Sequence, residues 1–520
     1  MSKQPSFARW REQETRQAGV IDLGSNSWRV VVFTYCPDRW WKRTDELYET
    51  VRIGEGLTAS GYLNKAAIGR AIETLGVFER FCRAHGLGAP DLHVVATSAI
   101  RDAANRDEFL EEARKATGLK VEVLSAEDEA RFGYVAAVNT STLERGVVVE
   151  LGGGSLQLVQ VENRMARRIE SFPLGALRIT EQFLSGGNPV KKKDLERVRE
   201  KLREELRASS ALRDCQGRLL GMGGSVRNLA AAAEPEVQGV DIGIQGYVIS
   251  RRRMTQLVKE LAELPRSQRG TVPGIKPGRG DIILAAALTL QTVVELGEFD
   301  GIEVTEAGLR EGLFFARTFL NESRPLLENV REAAVLNLAR IYESDMPHCE
   351  HAAQLALQMH DSLVTGDVFK PGRSERELLW AAAMLHDVGM TISYDDHHKH
   401  SQYLIVSAEL PGFDPRERAL IAQISRYHRK GSPKLGELAA FSEPGDQQLL
   451  DRCAVILRLA EHLERGRDQS VQGAKLRLNG GGFDLHLDAA GDLTLPRWSI
   501  DRYGDDKLFE RVFGRRLLIG

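Results

Sequence analysis

Short apolar runs alternate with longer helix-forming stretches over the first three hundred residues of the chain. Residues 18–33 read AGVIDLGSNSWRVVVF, in which two apolar runs flank a polar Gly-Ser turn. This arrangement predicts a β-hairpin. Further apolar runs are followed by helical patterns, and such alternation predicts an α/β protein whose ligands bind at one edge of the sheet.

The hairpin pattern occurs a second time in residues 147–161, which read VVVELGGGSLQLVQV. Both copies share acid-Leu-Gly-x-x-Ser, which pairs Asp22 with Glu150, Gly24 with Gly152, and Ser27 with Ser155. A glycine turn brings backbone N–H groups close to phosphate oxygens, and the carboxylate before it can hold a hydrated Mg²⁺ ion. One copy alone is more simply a tight turn, but two matching copies predict two lobes that close on one substrate.

Two polar segments between the copies carry candidate chemistry. An apolar strand ends at residues 97–98, and a helical run begins near Asp102. Ser98 and Arg101 then lie at the start of a helix, where free N–H groups and a guanidinium suit a phosphate, although a plain helix cap explains Ser98 equally well. Residues 127–129 read Glu-Asp-Glu at the next helix start, either as complements to the helix dipole or with one acid orienting a water.

Two later glycine turns also follow apolar strands and precede apolar helices. One is Gly-Gly-Ser at residues 223–225, and the other lies around Arg310 and Glu311. Only the position of each turn points to a ligand site, because turns between a strand and a helix collect at the ligand-binding edge of an α/β sheet.

Composition narrows the class of protein. A chain of 520 residues with 42% hydrophobic and 28% charged residues suits two to four globular domains. Its five cysteines are scattered without CxxC spacing, which favours a reducing compartment. The chain has no long apolar run and no apolar segment near its N-terminus, so we expect a cytoplasmic protein without a membrane partner.

The formal net charge of -3 gives no bulk attraction to nucleic acid or anionic lipid. A polyanion would therefore need local basic clusters. Most such runs are solvated helix faces, but the chain offers these candidates: Lys191–Lys193, Arg251–Arg253, Arg266 with Arg269, Lys276 with Arg279, and Arg426–Lys430.

From about residue 325 the pattern becomes mainly helical. His351 lies in HCEHAAQLALQMHDSL, and the pair His386-Asp387 lies in LLWAAAMLHDVGM. Residues 475–520 alternate apolar and polar positions between glycine turns, which predicts a small β-rich tail with a final helix.

Eight of these segments, taken in order over residues 18–316, resemble the exopolyphosphatase and guanosine pentaphosphate phosphatase (Ppx/GppA) family. They read AGVIDLGSNSWRVVVF, ATSAIRDAANRDEF, LSAEDEARFGYVAAV, ELGGGSLQLV, FPLGALRITEQF, GMGGSVRNLA, RGDIILAAALTL and TEAGLREGL. The resemblance implies two actin-like (ribonuclease-H-like) lobes of the acetate kinase, hexokinase, heat-shock-protein and actin superfold. It also implies an active site in the cleft between them, Mg²⁺ or Mn²⁺ as the activating ion, and a homodimer.

The resemblance assigns roles residue by residue. Glu129 matches the general base that activates the attacking water, a role that suits a loose phosphoryl-transfer transition state. Phosphate-binding positions of the family match Asn26, Ser27, Ser98, Arg101, Gly153, Gly154 and Ser155. Metal-binding positions match Asp22, Glu150 and Gln157.

The second glycine turn departs from the family pattern, Asp-x-Gly-Gly-Gly-Ser-Thr-Glu. This chain has Glu150, Leu156 and Gln157 in place of the Asp, the Thr and the final Glu. Mg²⁺ favours carboxylates in near-ideal octahedral geometry, so we expect weaker metal binding or slower turnover.

The helical part resembles the HD phosphohydrolase domain, found in longer family members. Imidazoles with a His-Asp pair and a later acid can hold a divalent metal, the later acid being Glu461 or Glu464. The favoured alternative is a polyanion path or dimer surface without chemistry. The candidates for either role are His351, His386, Asp387, His400, His428 and Arg429, with His397 and His398 beside them.

We therefore predict four domains and a phosphoanhydride hydrolase. The domains are an actin-like lobe at 1–142, a second lobe at 143–320, an all-α HD-type domain at 321–472 and a small α+β domain at 473–520. The expected activity is release of orthophosphate from the ends of inorganic polyphosphate. The alternatives are removal of the 5′ terminal phosphate of guanosine pentaphosphate, a sensor that binds either compound without hydrolysis, and metal chemistry in the HD-type domain.

Overall fold

The computed structural model describes residues 15–184, 190–213, 215–233, 241–320, 323–504 and 506–519. They form two compact units. The first comprises the described parts of Met1–Pro235 and Ile244–Val330, and the second those of Glu236–Gly243 and Arg331–Gly520.

The first sheet has a centre of three apolar, largely buried strands and two more exposed edge strands. Its strands are β1 (Arg16–Leu23), β2 (Trp28–Cys36), β3 (Trp40–Glu49), β4 (Leu92–Ala96) and β5 (Glu122–Val123). They lie in the order β3-β2-β1-β4-β5, with β1 antiparallel to β2 and parallel to β4. The accompanying helices are α1 (Leu57–Ser60), α2 (Lys65–Ala84), α3 (Ser98–Asp102), α4 (Arg106–Thr117) and α5 (Ala126–Asn139).

The second sheet repeats this topology. Its strands are β6 (Arg145–Leu151), β7 (Leu156–Glu162), β8 (Met165–Phe172), β9 (Arg218–Met222), β10 (Val248–Ser250) and β11 (Gly301–Val304). The order β8-β7-β6-β9-β11 matches β3-β2-β1-β4-β5, and β10 adds an antiparallel edge. The helices are α6 (Ala176–Phe183), α7 (Lys192–Leu206), α8 (Ser210–Arg213), α9 (Gly224–Ala233), α10 (Arg251–Glu263), α11 (Ile283–Leu296) and α12 (Leu309–Phe314).

Two local predictions in this unit are wrong. The helix expected to begin near Asp102 is two helices, because α3 ends there and α4 begins at Arg106. Arg310 and Glu311 lie inside α12 rather than in the turn before it, since the carboxylate of Glu311 accepts the Gly308 N–H at 2.7 Å and caps the helix.

The second unit is mainly helical. Its helices are α13 (Val330–Ile341), α14 (Met346–Thr365), α15 (Glu375–Leu385), α16 (His397–Ser407), α17 (Pro415–Arg426), α18 (Asp446–Leu463), α19 (Thr494–Tyr503) and α20 (Asp506–Phe513). A sheet in the order β12-β13-β14 is formed by β12 (Val471–Leu478), β13 (Phe483–Ala489) and β14 (Leu517–Ile519). The final element is therefore a strand after two helices, which corrects the prediction of one final helix.

The tail residues share one hydrophobic core with the helices before them. The β12 backbone N–H of Ala474 donates to Gln358 of α14 at 2.9 Å, and that of Leu476 donates to Ser362 at 3.0 Å. Among the described helices, none combines the length and the apolar character that a membrane crossing requires.

Candidate functional site

The two glycine turns face one cleft in the first unit. The β1–β2 turn closes with Leu23 opposite Trp28, and the β6–β7 turn closes with Leu151 opposite Leu156. The space in and at the mouth of the cleft, open solvent included, is about 800 Å³. It is lined by Asp22, Gly24, Ser25, Asn26, Ser27, Arg29, Tyr48, Thr97, Ser98, Glu129, Glu150, Leu151, Gly152, Gly153, Gly223, Gly224, Arg227, Arg279, Gly308, Leu309 and Arg310.

The turns lie close enough together to require glycine. The hydroxyls of Ser25 and Ser98 are hydrogen-bonded at 2.9 Å. A Cβ atom on Gly154 would lie 2.6 Å from the Ser98 hydroxyl, and one on Gly153 would lie 3.2 Å from the Ser25 Cβ. The second turn therefore approaches the first turn and the start of α3 only because it carries no side chains.

Glu129 lies on the wall of this cleft, 7% exposed, in the first turn of α5. Burial raises the pKa of its carboxyl, Arg101 lowers it, and Asp22 raises it further. The Arg101 guanidinium donates to the Glu129 carboxylate at 2.7 Å and to the Leu124 carbonyl at 3.1 Å. The carboxyl is thus oriented and more basic than an exposed one, as a group that accepts a proton from water must be.

Two further carboxyls share the cleft with Glu129. Burial, followed by Glu129 and Asp22, raises the pKa of Glu150 to about 8. Burial also raises the pKa of Asp22, while Arg310, at 3.5 Å, lowers it. Glu150 Oε2 is buried without a hydrogen-bond partner among the described residues. Oxygen donors of this kind suit Mg²⁺, because an ion would satisfy the unpaired atom.

Four arginines face these carboxyls, namely Arg29, Arg227, Arg279 and Arg310. The sequence pointed to Arg279 through a basic cluster and to Arg310 through a glycine turn, but it did not single out the other two. Burial lowers the pKa of Arg227 to about 10, so its guanidinium is still protonated at neutral pH. Of the two that were missed, Arg29 had a usable signal, since it pairs directly with Asp22 across the hairpin.

Several predicted phosphate and metal ligands lie behind the cleft wall. Arg101 holds Glu129, as described above. Gln157 is 1% exposed; its Nε2 donates to the Ser155 hydroxyl at 2.9 Å, and its side chain hydrogen-bonds Glu129. Gly154, Ser155, Arg101 and Gln157 are not among the lining residues, whereas Asn26, Ser27, Ser98 and Gly153 are.

In the second unit, His386, Asp387 and His428 lie together, joined by His397, Glu461 and the unpredicted His348. The other predicted residues lie outside. His351 donates to the Val471 carbonyl at 2.7 Å, His400 is half-buried on α16, and Arg429 stacks over Tyr394 at 5.2 Å. His348 precedes His351 by one helical turn, which is the only sequence signal for it.

Known proteins resemble the chain over most of its length. The guanosine-5′-triphosphate,3′-diphosphate pyrophosphatase of Vibrio vulnificus is 29% identical over 465 residues, covering 88% of this chain and 90% of that protein. The protein of the same name from Vibrio parahaemolyticus is 26% identical over 488 residues, covering 93% and 95%.

A crystal structure of the Ppx/GppA family member from Aquifex aeolicus is 27% identical, with a TM-score of 0.50, and covers 58% of this chain and 97% of that one. An exopolyphosphatase from Cytophaga hutchinsonii, 22% identical with a TM-score of 0.53, covers 58% and 97% and shows the fold alone. With the doubled sheet, these structures fit the predicted actin-like fold.

Two sequence models of protein families match the chain. The model of the Ppx/GppA phosphatase family matches residues 44–319, and that of Ppx/GppA phosphatase domain III matches residues 330–494. The HD-type assignment of the helical part stays a prediction. Because the first model alone covers more than half of the chain, this protein belongs to the Ppx/GppA phosphatase family, and it is a hydrolase of phosphoanhydrides.

Proposed function

We propose that this hydrolase removes the terminal 5′ phosphate of guanosine pentaphosphate. The observation that carries the proposal is the position of Glu129, a buried and oriented carboxyl on the wall of a cleft between two glycine turns and four arginines. The names of the two Vibrio relatives favour this substrate over the inorganic polyphosphate expected first.

In the proposed reaction, the two turns and the arginines bind the oxygens of the terminal phosphate, and Glu129 accepts a proton from a water in line with the bond to be broken. The water oxygen bonds to phosphorus while the bridging P–O bond breaks. The products are orthophosphate and guanosine tetraphosphate. Asp22 and Glu150 would hold Mg²⁺ or Mn²⁺, which would neutralise phosphate oxygens when bound.

Inorganic polyphosphate is the second candidate substrate. Tyr48 contributes the one aromatic ring among the residues that line the cleft, and the remaining polar groups suit phosphate rather than a base. The terminal phosphoanhydride of guanosine pentaphosphate and that of polyphosphate would contact the same turns, arginines and Glu129. A homodimer is proposed on the family resemblance alone.

The test is orthophosphate release from each substrate with Mg²⁺, comparing the wild type with Glu129→Gln. We expect kcat to fall by about 10² to 10⁴, the usual contribution of a positioned base. Glu127→Gln is the matched control, because Glu127 lies in the same helical turn but is exposed and pairs with Arg131 at 3.0 Å.

The outcomes separate the parts of the proposal. Equal release by the wild type and Glu129→Gln would place the chemistry elsewhere. A loss of release from both substrates, with a higher wild-type kcat/KM for polyphosphate, would keep the mechanism and overturn the preference for guanosine pentaphosphate.

A further inference from the structure

The short helix α6, which accompanies the second sheet, is bound to the second glycine turn through backbone hydrogen bonds. The Ala176 N–H donates to the Gly152 carbonyl at 3.0 Å, and the Leu177 N–H donates to the Gly153 carbonyl at 2.9 Å. The helix begins after Gly175, where a Cβ atom would lie 2.3 Å from the backbone of the turn. The free N–H groups at the start of α6 are thus used to fix the helix to the turn.

Arg178 of this helix connects the second glycine turn to a helix of the first sheet. Its Nε donates to the Gly154 carbonyl at 3.1 Å, and its Nη2 donates to Asp102 Oδ2 at 3.1 Å. Asp102 is the last residue of α3, and the side chains of Arg178 and Asp102 are 22% and 42% exposed. Because a guanidinium is planar and rigid, one side chain holds both contacts in a fixed geometry.

The Asp102 carboxylate lies between two arginines. While Oδ2 accepts from Arg178, Oδ1 lies 3.6 Å from Nε of Arg101. The Arg101 guanidinium in turn donates from Nη1 to the Glu129 carboxylate at 2.7 Å. Charges of alternating sign thus run from Arg178 to Glu129. Neither Arg178 nor Asp102 is among the described residues that line the cleft, so this series of contacts reaches Glu129 from behind the cleft wall.

These contacts bear on catalysis because they fix the plane of the Arg101 guanidinium. A carboxylate beside Nε restricts rotation of that plane, and Nη1, which holds Glu129, belongs to the same plane. A group that accepts a proton must lie within hydrogen-bond reach of the attacking water, and a displacement of about 1 Å can cost about 100-fold in rate. The orientation of Glu129 therefore depends on a helix that accompanies the other sheet.

We propose that Arg178 is a positioning residue for the hydrolysis. Acting through Asp102 and Arg101, it fixes the Glu129 carboxylate when the second glycine turn lies against α3. The inference rests on Glu129 as the general base of the proposed function, and it holds for either substrate. The competing explanation is a partly exposed ion pair without any effect on catalysis, since most such pairs contribute little.

The experiment measures kcat and KM of orthophosphate release by the full-length protein, Arg178→Met, Asp102→Ala and the double variant. We expect Arg178→Met to lower kcat by about 3- to 10-fold, the lower part of the range for residues coupled in one network. KM should stay unchanged, because Arg178 does not touch the substrate. The double variant should lose no more than the more damaging single variant, since both residues act in one series of contacts. Arg199→Met is the matched control, because Arg199 is 26% exposed, pairs with Glu196 of its own helix at 2.6 Å and should leave kcat unchanged.

Three results would overturn the inference, with folding checked by thermal unfolding. The first is wild-type kcat in Arg178→Met. The second is a pair of losses that multiply in the double variant, because Arg178 would then act through the Gly154 carbonyl rather than through Asp102. The third is a higher KM at unchanged kcat, which would mean that Arg178 binds the substrate. Glu129→Gln separates this inference from the proposed function: if Glu129→Gln loses activity and Arg178→Met does not, only the positioning role fails, whereas full activity of Glu129→Gln would remove the proposed base itself.

Discussion

Replacing Arg101 with methionine should shift the pH dependence of catalysis rather than abolish substrate binding. The Arg101 guanidinium donates to the Glu129 carboxylate at 2.7 Å, and it does not line the cleft. Burial raises the pKa of Glu129 and the cation of Arg101 opposes that rise. Arg101→Met removes the opposing charge, so the pKa of Glu129 must rise further.

The size of the effect follows from the charge pair. An arginine beside a carboxylate lowers the pKa of that carboxylate by about one to three pH units. A general base works only when ionised, so the acidic limb of kcat/KM should move to higher pH by about the same amount. On the acidic side of that limb, kcat/KM of the variant should be about 10- to 1000-fold below that of the wild type, since one pKa unit corresponds to about 1.4 kcal/mol. Activity should return as the pH is raised.

The assay is kcat/KM from pH 5 to about 10, with folding checked at each pH by thermal unfolding. Arg114→Met is the control, because Arg114 is exposed on α4 and pairs with Glu111 at 3.1 Å. If Arg101 instead bound a substrate phosphate, KM would rise at every pH and alkaline conditions would restore nothing. That result would refute the assignment of Arg101 to Glu129.

Three further variants test the same cleft. Gln157→Met removes a hydrogen bond to Glu129 and should move the acidic limb of the pH–rate profile upward, less than Arg101→Met does. Glu150→Gln, measured without divalent ions, should raise the free energy of unfolding by up to about 3 kcal/mol at pH 7 and by little at pH 4.5. The wild-type carboxyl, with a pKa of about 8, ionises only on unfolding in this range and so lowers stability as the pH rises. Gly175→Ala would overlap the backbone of Gly153 and should lower kcat, as orthophosphate release would show.

The doubled hairpin could be predicted because its signal is local. Each copy carries its strands, its turn and its acid within about fifteen residues, so one stretch of sequence specifies one structure. Glu129 was found through the family resemblance, and its burial could not have been read from residues 127–129 alone. The other two acids are exposed, whereas Glu129 is buried beside Arg101 and Gln157, which are distant from it in sequence.

The contacts of the cleft arginines could not be predicted, because long-range folding brings these residues to the site. Arg310 reaches Asp22 across 288 residues, and Arg279 reaches Ser27 across 252. The errors among the histidines have another cause. The sequence pattern favours His351 and His400, whereas the structure places His348 and His397 in the cluster around His386. Each of these lies one helical turn from the residue that was predicted. A helical pattern defines a face, but it does not say which turn of that face meets its neighbours.

The charges of the cleft explain how an acidic chain could attract a polyphosphorylated substrate. The basic runs at 191–193 and 251–253 lie at the starts of α7 and α10 and do not line the cleft. The cleft is lined instead by four arginines, of which Arg310 is buried and the others are half-buried, and by three carboxyls. Even with all three carboxyls ionised, the lining keeps one excess positive charge, and protonation of Glu150 below pH 8 adds another. The charge of the lining residues is therefore opposite in sign to the net charge of -3, and charges inside a cleft are screened less by salt than surface runs.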